Sequence, residues 1–123
     1  MSVLVCVTGQ KSCERLIVAG AEIAAAEQDY PLTVLHVARI GGNVMGFVNE
    51  PEALEYLLTA SIRYGADMTV RRADDVIRAI EDNAKALAAD VIVAGRAANY
   101  SGWDLLDELK LRLPNVRFEI LGA

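Results

Sequence analysis

Five basic side chains stand just after short apolar runs of this sequence, where a binding loop would follow a buried strand. They are Lys11, Arg39, Arg71, Arg72 and Arg96, out of twelve Lys and Arg residues in all. Two lone glycines, Gly9 and Gly95, lie beside the first and the last of them. Cations and the free N–H groups of a helix N-terminus attract anions. The pattern predicts a site for a small phosphate-bearing ligand. The alternative is that these cations only offset an otherwise acidic surface.

Other chemistry has little support in the residue types. There is one histidine, His36, and two cysteines, with no Cys-x-x-Cys or His-x-x-x-His spacing, so we predict no metal site. Cys6 lies in an apolar run and is interpreted as a small buried hydrophobe. No glycine precedes Lys11-Ser12 and no Gly-x-Gly-x-x-Gly is present, which argues against the common phosphate loops. Without a nucleophile, base and acid in one pattern, we expect a protein that is not an enzyme and has no catalytic residues.

Length and charge narrow the class further. A chain of 123 residues matches one domain, which we place at residues 1–123. The balance of 12 basic and 17 acidic residues gives a net charge of −5, which disfavours nucleic acid as a partner. No run of about 20 apolar residues would cross a membrane. The first residues lack the basic and small-residue features of a secretion signal, so we expect a cytoplasmic protein.

Apolar runs alternate with helical periods, which predicts five strands and four helices. The strands are predicted at Val3–Val7, Leu32–Val37, Met68–Arg71, Val91–Ala94 and Val116–Ile120. The helices are expected to begin at Ser12, at Asn49, at Asp74 or Asp75, and at a capping box Ser101-x-x-Asp104, which includes Trp103. On the second helix, the predicted buried face carries Leu54, Leu57, Leu58 and Ile62. Arg39–Val48, with three glycines, is expected to be a mobile loop that acts as a flap.

The strand patterns also predict the order of the sheet. Runs one, two and four are almost continuously apolar, which is typical of interior strands, whereas runs three and five alternate, which suits edges. Right-handed crossovers then favour the order 3-2-1-4-5. We expect an α/β three-layer sandwich, a five-stranded parallel sheet with helices on both faces, of the Rossmann-like kind. Ligands bind such sheets outside the carboxyl ends of the strands, where the winding reverses between strands one and four.

Several segments resemble a known family. Val3-Leu4-Val5-Cys6-Val7-Thr8-Gly9 is followed by Ser12-Cys13-Glu14-Arg15-Leu16-Ile17, and Leu32–Val37 and Val91–Arg96 continue the likeness. The chain resembles the universal stress protein family over essentially its whole length. It looks most like the domain of this type in osmosensitive potassium-channel sensor histidine kinases. The resemblance implies the same 3-2-1-4-5 sheet, of the adenine nucleotide alpha hydrolase-like kind. It also implies a homodimer through the last strand, with Val116, Phe118 and Ile120 beside that edge.

The resemblance also implies a ligand, an adenine nucleotide such as ATP or AMP. Its candidate contacts follow the first, second and fourth strands: Thr8, Gly9, Gln10, Lys11, Ser12, Val37, Ala38, Arg39, Gly95 and Arg96. The ATP-binding branch has an acidic residue where Thr8 stands and a second glycine within Arg96-Ala97-Ala98, so this sequence departs from it twice. Some kinase-embedded relatives bind a cyclic adenine dinucleotide through motifs of which only Thr33 is matched outright here.

Three functions can be compared with these observations. The leading hypothesis is a cytoplasmic stress-response or signalling domain that binds an adenine nucleotide. The alternative is a module without a ligand, or one that senses a cyclic dinucleotide, related to the sensor of a potassium-responsive kinase. A nucleotide hydrolase or ligase would need a Ser-Gly-Gly-x-Asp-Ser loop or a His-x-Gly-His pair, and neither is in the sequence.

Overall fold

The computed structural model of the chain describes residues 1–7, 10–38, 40, 50–95 and 105–121. Within these residues, strands and helices alternate strictly along the chain. They are β1 (Ser2–Cys6), α1 (Gln10–Ala26), β2 (Leu32–Ala38), α2 (Glu50–Arg63), β3 (Asp67–Arg72), α3 (Val76–Ala86), β4 (Ala89–Gly95), α4 (Leu105–Arg112) and β5 (Arg117–Leu121). The five strands form one parallel sheet in the order β3-β2-β1-β4-β5. The predicted fold class, strand order and edge strands are confirmed.

The central strand β1 is buried along its whole length. It pairs with β2 from Val3 to Cys6 on one side and with β4 on the other, where the register shifts once between Ser2 and Val3. A strand covered on both faces and paired on both edges has no position for a solvated side chain. This explains why its sequence is almost continuously apolar.

The sheet separates two apolar cores, because successive strand residues point to opposite faces. Val3 and Val5 belong to the first core, under α1 and α2, and Leu4 and Cys6 belong to the second, under α3 and α4. The helices contribute Leu16, Ile17, Ala53 and Leu57 to the first core and Ile80, Ala84, Leu106, Leu109 and Leu113 to the second. Helices therefore cover both faces, as predicted.

Helix α1 lies close against the sheet at Gly20. A Cβ added to Gly20 would overlap the Val5 side chain and come within 3.2 Å of Leu32 Cδ1. The absence of a side chain is what allows this close approach. The expectation that Ser12 caps α1 is wrong, because the helix begins two residues earlier, at Gln10. Gln and Lys both have good helix propensity, so the first turn extends past the predicted cap.

Helix α2 is tied to α1 through Glu14. Glu14 Oε1 accepts hydrogen bonds from Arg63 Nη1 at 2.9 Å and from the Tyr64 hydroxyl at 3.0 Å. Leu57 is fully buried and Leu54 is partly buried, but Leu58 and Ile62 are 45% and 66% exposed. The predicted buried face is therefore wrong in its second half. The 3.6-residue period gives the angular spacing of these side chains, but not where the layer beneath the helix ends.

The cap of α3 is confirmed at Asp75, whose Oδ1 accepts a hydrogen bond from the Arg78 N–H at 3.0 Å. Most strand ends differ from the predicted ones by one or two residues; β4, for example, runs from Ala89 to Gly95. The proposed cap at Asn49, the Ser101-x-x-Asp104 box and Trp103 lie outside the described residues. The predicted loop Arg39–Val48 does too, except for the exposed Ile40.

Ala88 ends α3 in the left-handed region of backbone conformation, with φ of 50°. A Cβ makes this region unfavourable and glycine adopts it freely. We expect Ala88→Gly to stabilise the fold by roughly 0.5–1 kcal/mol, measured as the free energy of unfolding in urea. Gly65 offers the reverse control, since its φ is 70° and a Cβ there would meet nothing within 4 Å. Gly65→Ala should destabilise by about 1 kcal/mol. A loss of stability in Ala88→Gly would contradict this account of the turn.

Candidate functional site

The carboxyl edge of the sheet has a notch at β1. Cys6, the last residue of β1, is level with Leu35, and β2 continues for three more residues to Ala38. On the other side, Val5 is level with Val93, so Cys6 is level with Ala94 and β4 continues for one more residue, to Gly95. At about 3.3 Å per residue, β2 extends roughly 10 Å beyond the end of β1. The notch, defined by the end of β1 between Ala38 and Gly95, lies where the winding of the sheet reverses.

Val7 follows the end of β1, and α1 begins three residues further along the chain, at Gln10. Val7 is buried, and its N–H donates to the Leu35 carbonyl oxygen at 3.0 Å. The first turn of α1 contains Gln10, Lys11 and Ser12, and in this turn the backbone N–H groups lack partners within the helix. Because a helix that follows a parallel strand starts at the carboxyl edge, these N–H groups face the notch side of the sheet.

His36 holds the backbone just after the end of β1 by a hydrogen bond to Val7. Its side chain is 4% exposed, and Nδ1 lies 2.8 Å from the carbonyl oxygen of Val7. A carbonyl oxygen only accepts, so Nδ1 carries the hydrogen and donates it. The prediction that His36 is a satisfied core or rim histidine is confirmed. Sequence reasoning did not connect it with the site, although its place near the end of β2 is the signal that points to the neighbouring loop.

Gly95 is the exposed last residue of β4. A Cβ added there would lie 3.6 Å from Leu16 Cδ1 and 3.9 Å from the Leu121 carbonyl oxygen, which are ordinary contacts. The backbone is not in the left-handed region. Folding therefore does not require glycine at this position. The missing side chain leaves space beside Leu16 of α1 at the carboxyl end of β4.

The other predicted site residues are placed as follows. Val37 packs into the second core and Ala38 into the first, so each would reach a ligand only through its backbone. For Gln10, Lys11 and Ser12 the structure places the helical backbone in the first turn of α1. The remaining candidates, Thr8, Gly9, Arg39 and Arg96, lie outside the described residues.

Arg71 and Arg72 lie at the same edge as the notch but do not border it. They are level with Val37 and Ala38 on β3, the outermost strand, two strands away from β1. With a strand spacing of about 4.8 Å, this places them roughly 10 Å to the side of β1. Instead they line a groove of about 370 Å³ together with Ala73, Ala79, Asp82, Asn83 and Ala86. The expectation that all five cations gather around the switch point is wrong for these two.

Val116, Phe118 and Ile120 all point to one face of the sheet. They are partly buried and pack against the second core. These side chains stabilise β5 on the face of the sheet that α4 covers. They do not project outward from the open edge of the strand. Pairing at this edge would therefore use the backbone of β5.

Two further groups complete the chemistry of the described residues. The Cys6 thiol is buried, and burial raises its pKa to about 12, so it stays neutral and unreactive at physiological pH. Its interpretation as a buried hydrophobe is confirmed. Among the residues that the structure describes, no three His, Cys, Asp or Glu side chains could together hold a metal ion. In the same part of the chain, none of the helices has both the length and the apolar character needed to cross a membrane.

The fold is that of solved universal stress proteins. One from Archaeoglobus fulgidus aligns with a TM-score of 0.65 and 23% identity over 99% of this chain and 92% of its own. The universal stress protein from Archaeoglobus fulgidus in complex with dAMP aligns with a TM-score of 0.61 and 18% identity, covering 99% of this chain and 96% of the other. A universal stress protein in complex with cAMP gives 0.60 and 18%, covering 100% and 95%. No protein-family model and no curated protein matches the sequence significantly. At these identities, the comparisons establish the shared fold.

The hydrogen bond from His36 to Val7 is expected to stabilise the backbone just after the end of β1. His36→Leu removes the donor and leaves a buried carbonyl oxygen without it, which should cost about 1–3 kcal/mol in the free energy of unfolding. Ser61→Ala is the matched control. The Ser61 hydroxyl donates at 2.8 Å to the Leu57 carbonyl oxygen, which lies within a helix and has a backbone donor as well. Chemical denaturation should show a clearly smaller loss for Ser61→Ala. Equal losses would contradict a special role for the His36 bond.

Proposed function

We propose that this chain is a non-enzymatic, cytoplasmic protein of the universal stress type, which binds an adenine nucleotide at the notch. The observation that carries the proposal is the end of β1, recessed between Ala38 and Gly95 at the winding reversal, with the first turn of α1 beside it. Ligands of open α/β sheets bind outside the carboxyl ends of the strands at this kind of position. The dAMP and cAMP complexes of two proteins with the same fold support an adenine ligand.

In this proposal, each part of the notch has a separate task. The N–H groups of the first turn of α1 take phosphate oxygens, helped by the positive end of the helix dipole. Lys11, Arg39 and Arg96 supply the positive charge that neutralises the phosphate. The backbone at Val37 and Ala38 lies beside the base or ribose. Gly95 lets the ligand lie close to the end of β4, and Thr8 and Gly9 remain candidate contacts from the sequence alone.

Nucleotide titration tests the proposal. We expect AMP or ATP to bind, measured by calorimetry at low salt, and to raise the thermal unfolding temperature. Saturation at 100 times the dissociation constant adds about 2.7 kcal/mol to stability. Lys11→Ala and Arg96→Ala should each weaken binding about tenfold, which is 1.4 kcal/mol. Lys110→Ala removes one positive charge from the last turn of α4 and should leave binding unchanged.

Gly95→Ala separates binding from folding. Its Cβ makes only ordinary contacts, so the unfolding temperature without ligand should stay the same while affinity falls. Absence of binding by AMP and ATP would contradict the proposal. Tight binding of a cyclic adenine dinucleotide alone would instead favour the sensing module. Release of orthophosphate from ATP would contradict the non-enzymatic assignment.

The proposal includes a homodimer through β5. Within the described part of the chain, β5 pairs only with β4, so one edge of its backbone is open. In Arg71→Asp, which alters the opposite edge of the sheet, sedimentation equilibrium should give a mass of twice 13.3 kDa. The unsubstituted protein should be at least a dimer. A monomeric mass for Arg71→Asp would contradict pairing at β5.

A further inference from the structure

The structure assigns a second self-association surface to β3, at the opposite edge of the sheet from β5. We define this β3 surface as the edge of Asp67–Arg72 that faces away from β2 and pairs with no other described strand, together with the adjoining flank of α2, which carries Leu58 and Ile62. We propose that it pairs antiparallel with the same surface of a second copy of the chain. The inference is independent of nucleotide binding at the notch.

The backbone of β3 is well suited to pairing. It matches β2 residue for residue from Asp67 to Arg72, without a bulge or a proline. Natural edge strands usually have such a feature to prevent pairing with another chain. Among the described residues, the protection that remains at this edge is the charge on Asp67, Arg71 and Arg72.

The direction of the backbone groups limits the register. Ala73 N–H donates to the Ala38 carbonyl oxygen at 3.0 Å, so residue 73 turns its backbone groups toward β2. The direction of the backbone N–H and C=O groups alternates along a strand. Those of residues 67, 69 and 71 therefore also point toward β2, and those of Met68, Val70 and Arg72 point away from β2. Two antiparallel copies exchange hydrogen bonds only between outward residues. In any allowed register the paired residue numbers therefore add up to an even number.

One of these registers is complementary in charge. When the two-fold axis passes through Thr69, Asp67 of each copy lies opposite Arg71 of the other. Met68 then lies opposite Val70. The backbone N–H and C=O groups of both residues point away from β2, as the pairing requires. Moving the axis to residue 71 would place two arginines opposite each other, and moving it to residue 68 or 70 would leave Asp67 without an arginine directly opposite. Opposite charges across a strand pair stabilise it, and like charges destabilise it.

The two faces of the surface agree with this register. Asp67, Thr69 and Arg71 point away from the first core, where the groove of about 370 Å³ between β3 and α3 gives the Arg71 side chain room. Met68 and Val70 pack against the first core, on the side of α2. The chemistry of each face is therefore continuous across the pair, polar on one side and apolar on the other.

The exposed side chains of α2 complete the apolar side. Arg63 and Tyr64 reach α1, so Leu58 and Ile62 lie on the other flank of the helix, toward the β3 edge. Paired strands lie about 4.8 Å apart, and helices seated over them would approach to about 10 Å, the distance at which helices pack. Pairing would bury Leu58 and Ile62 of both copies in one cluster, which accounts for two large apolar residues on the surface.

Disulfide trapping tests the register directly. Thr69 would lie opposite its own copy as a non-hydrogen-bonded pair, with Cα atoms about 4.5 Å apart, which a disulfide can span. In a Cys13→Ser background, Thr69→Cys should form a covalent dimer on mild oxidation, at least tenfold faster than Lys110→Cys. Lys110 is exposed on α4 and lies away from the β3 surface. Equal rates for the two variants would overturn the proposal.

A charge exchange provides the second test. Added to Thr69→Cys, Asp67→Arg should slow cross-linking at least fivefold, because arginines then face each other. The combination of Asp67→Arg with Arg71→Asp should restore the rate. Circular dichroism is the control that each variant is folded. Failure of the exchange to restore the rate would overturn the register.

Hydrogen exchange separates the two edges of the sheet. With rising protein concentration, the amides of Met68 and Val70 should become protected. A dimer that protects β5 amides and leaves these two exchanging freely would overturn the β3 proposal and support β5 pairing alone. Protection at both edges would support both proposals, and the mass would then rise beyond a dimer, because pairing at two edges joins sheets into an open row.

Discussion

The rest of the structure depends on the parallel pairing of β1 with β2 on one side and with β4 on the other. This pairing leaves β1 buried along its whole length, so Val3, Leu4, Val5 and Cys6 all serve the two cores. It also determines where the winding of the chain reverses. Since β2 and β4 are both longer at the carboxyl edge, the same pairing creates the notch. The folding constraint and the candidate site therefore have one physical origin, the register of three neighbouring strands.

Much of this architecture could be predicted from residue patterns. The continuous apolar runs of β1, β2 and β4 identify interior strands, and the alternation in Asp67–Arg72 and Arg117–Leu121 identifies edges. The exposure of Leu58 and Ile62 could not be predicted in this way. A helical period describes only the helix itself, and α2 lies at the border of the sheet, where one of its flanks has no neighbour among the described residues. Burial at such a border depends on the tertiary arrangement.

The candidate site was predictable in outline and not in detail. The rule that ligands bind at carboxyl ends correctly selects the side of the sheet, and Gly95 lies there as expected. The same rule groups Arg71 and Arg72 with the other cations, because it ignores distance across the sheet. The role of His36 depends on contact with Val7, which is 29 residues away in the chain, and on a register that only the folded sheet establishes. No local pattern in the sequence contains that information.

The separation of the two cores by the sheet has a consequence for how the protein tolerates change. Ile17 and Leu109 lie in different layers, on opposite sides of the backbone of β1 and β4. Helices on the two faces of a sheet are roughly 20 Å apart, since each packs at about 10 Å. Energetic effects of substitutions at that distance are usually additive. Each layer can therefore vary its side chains without compensation in the other, and β1 is the element whose changes affect both.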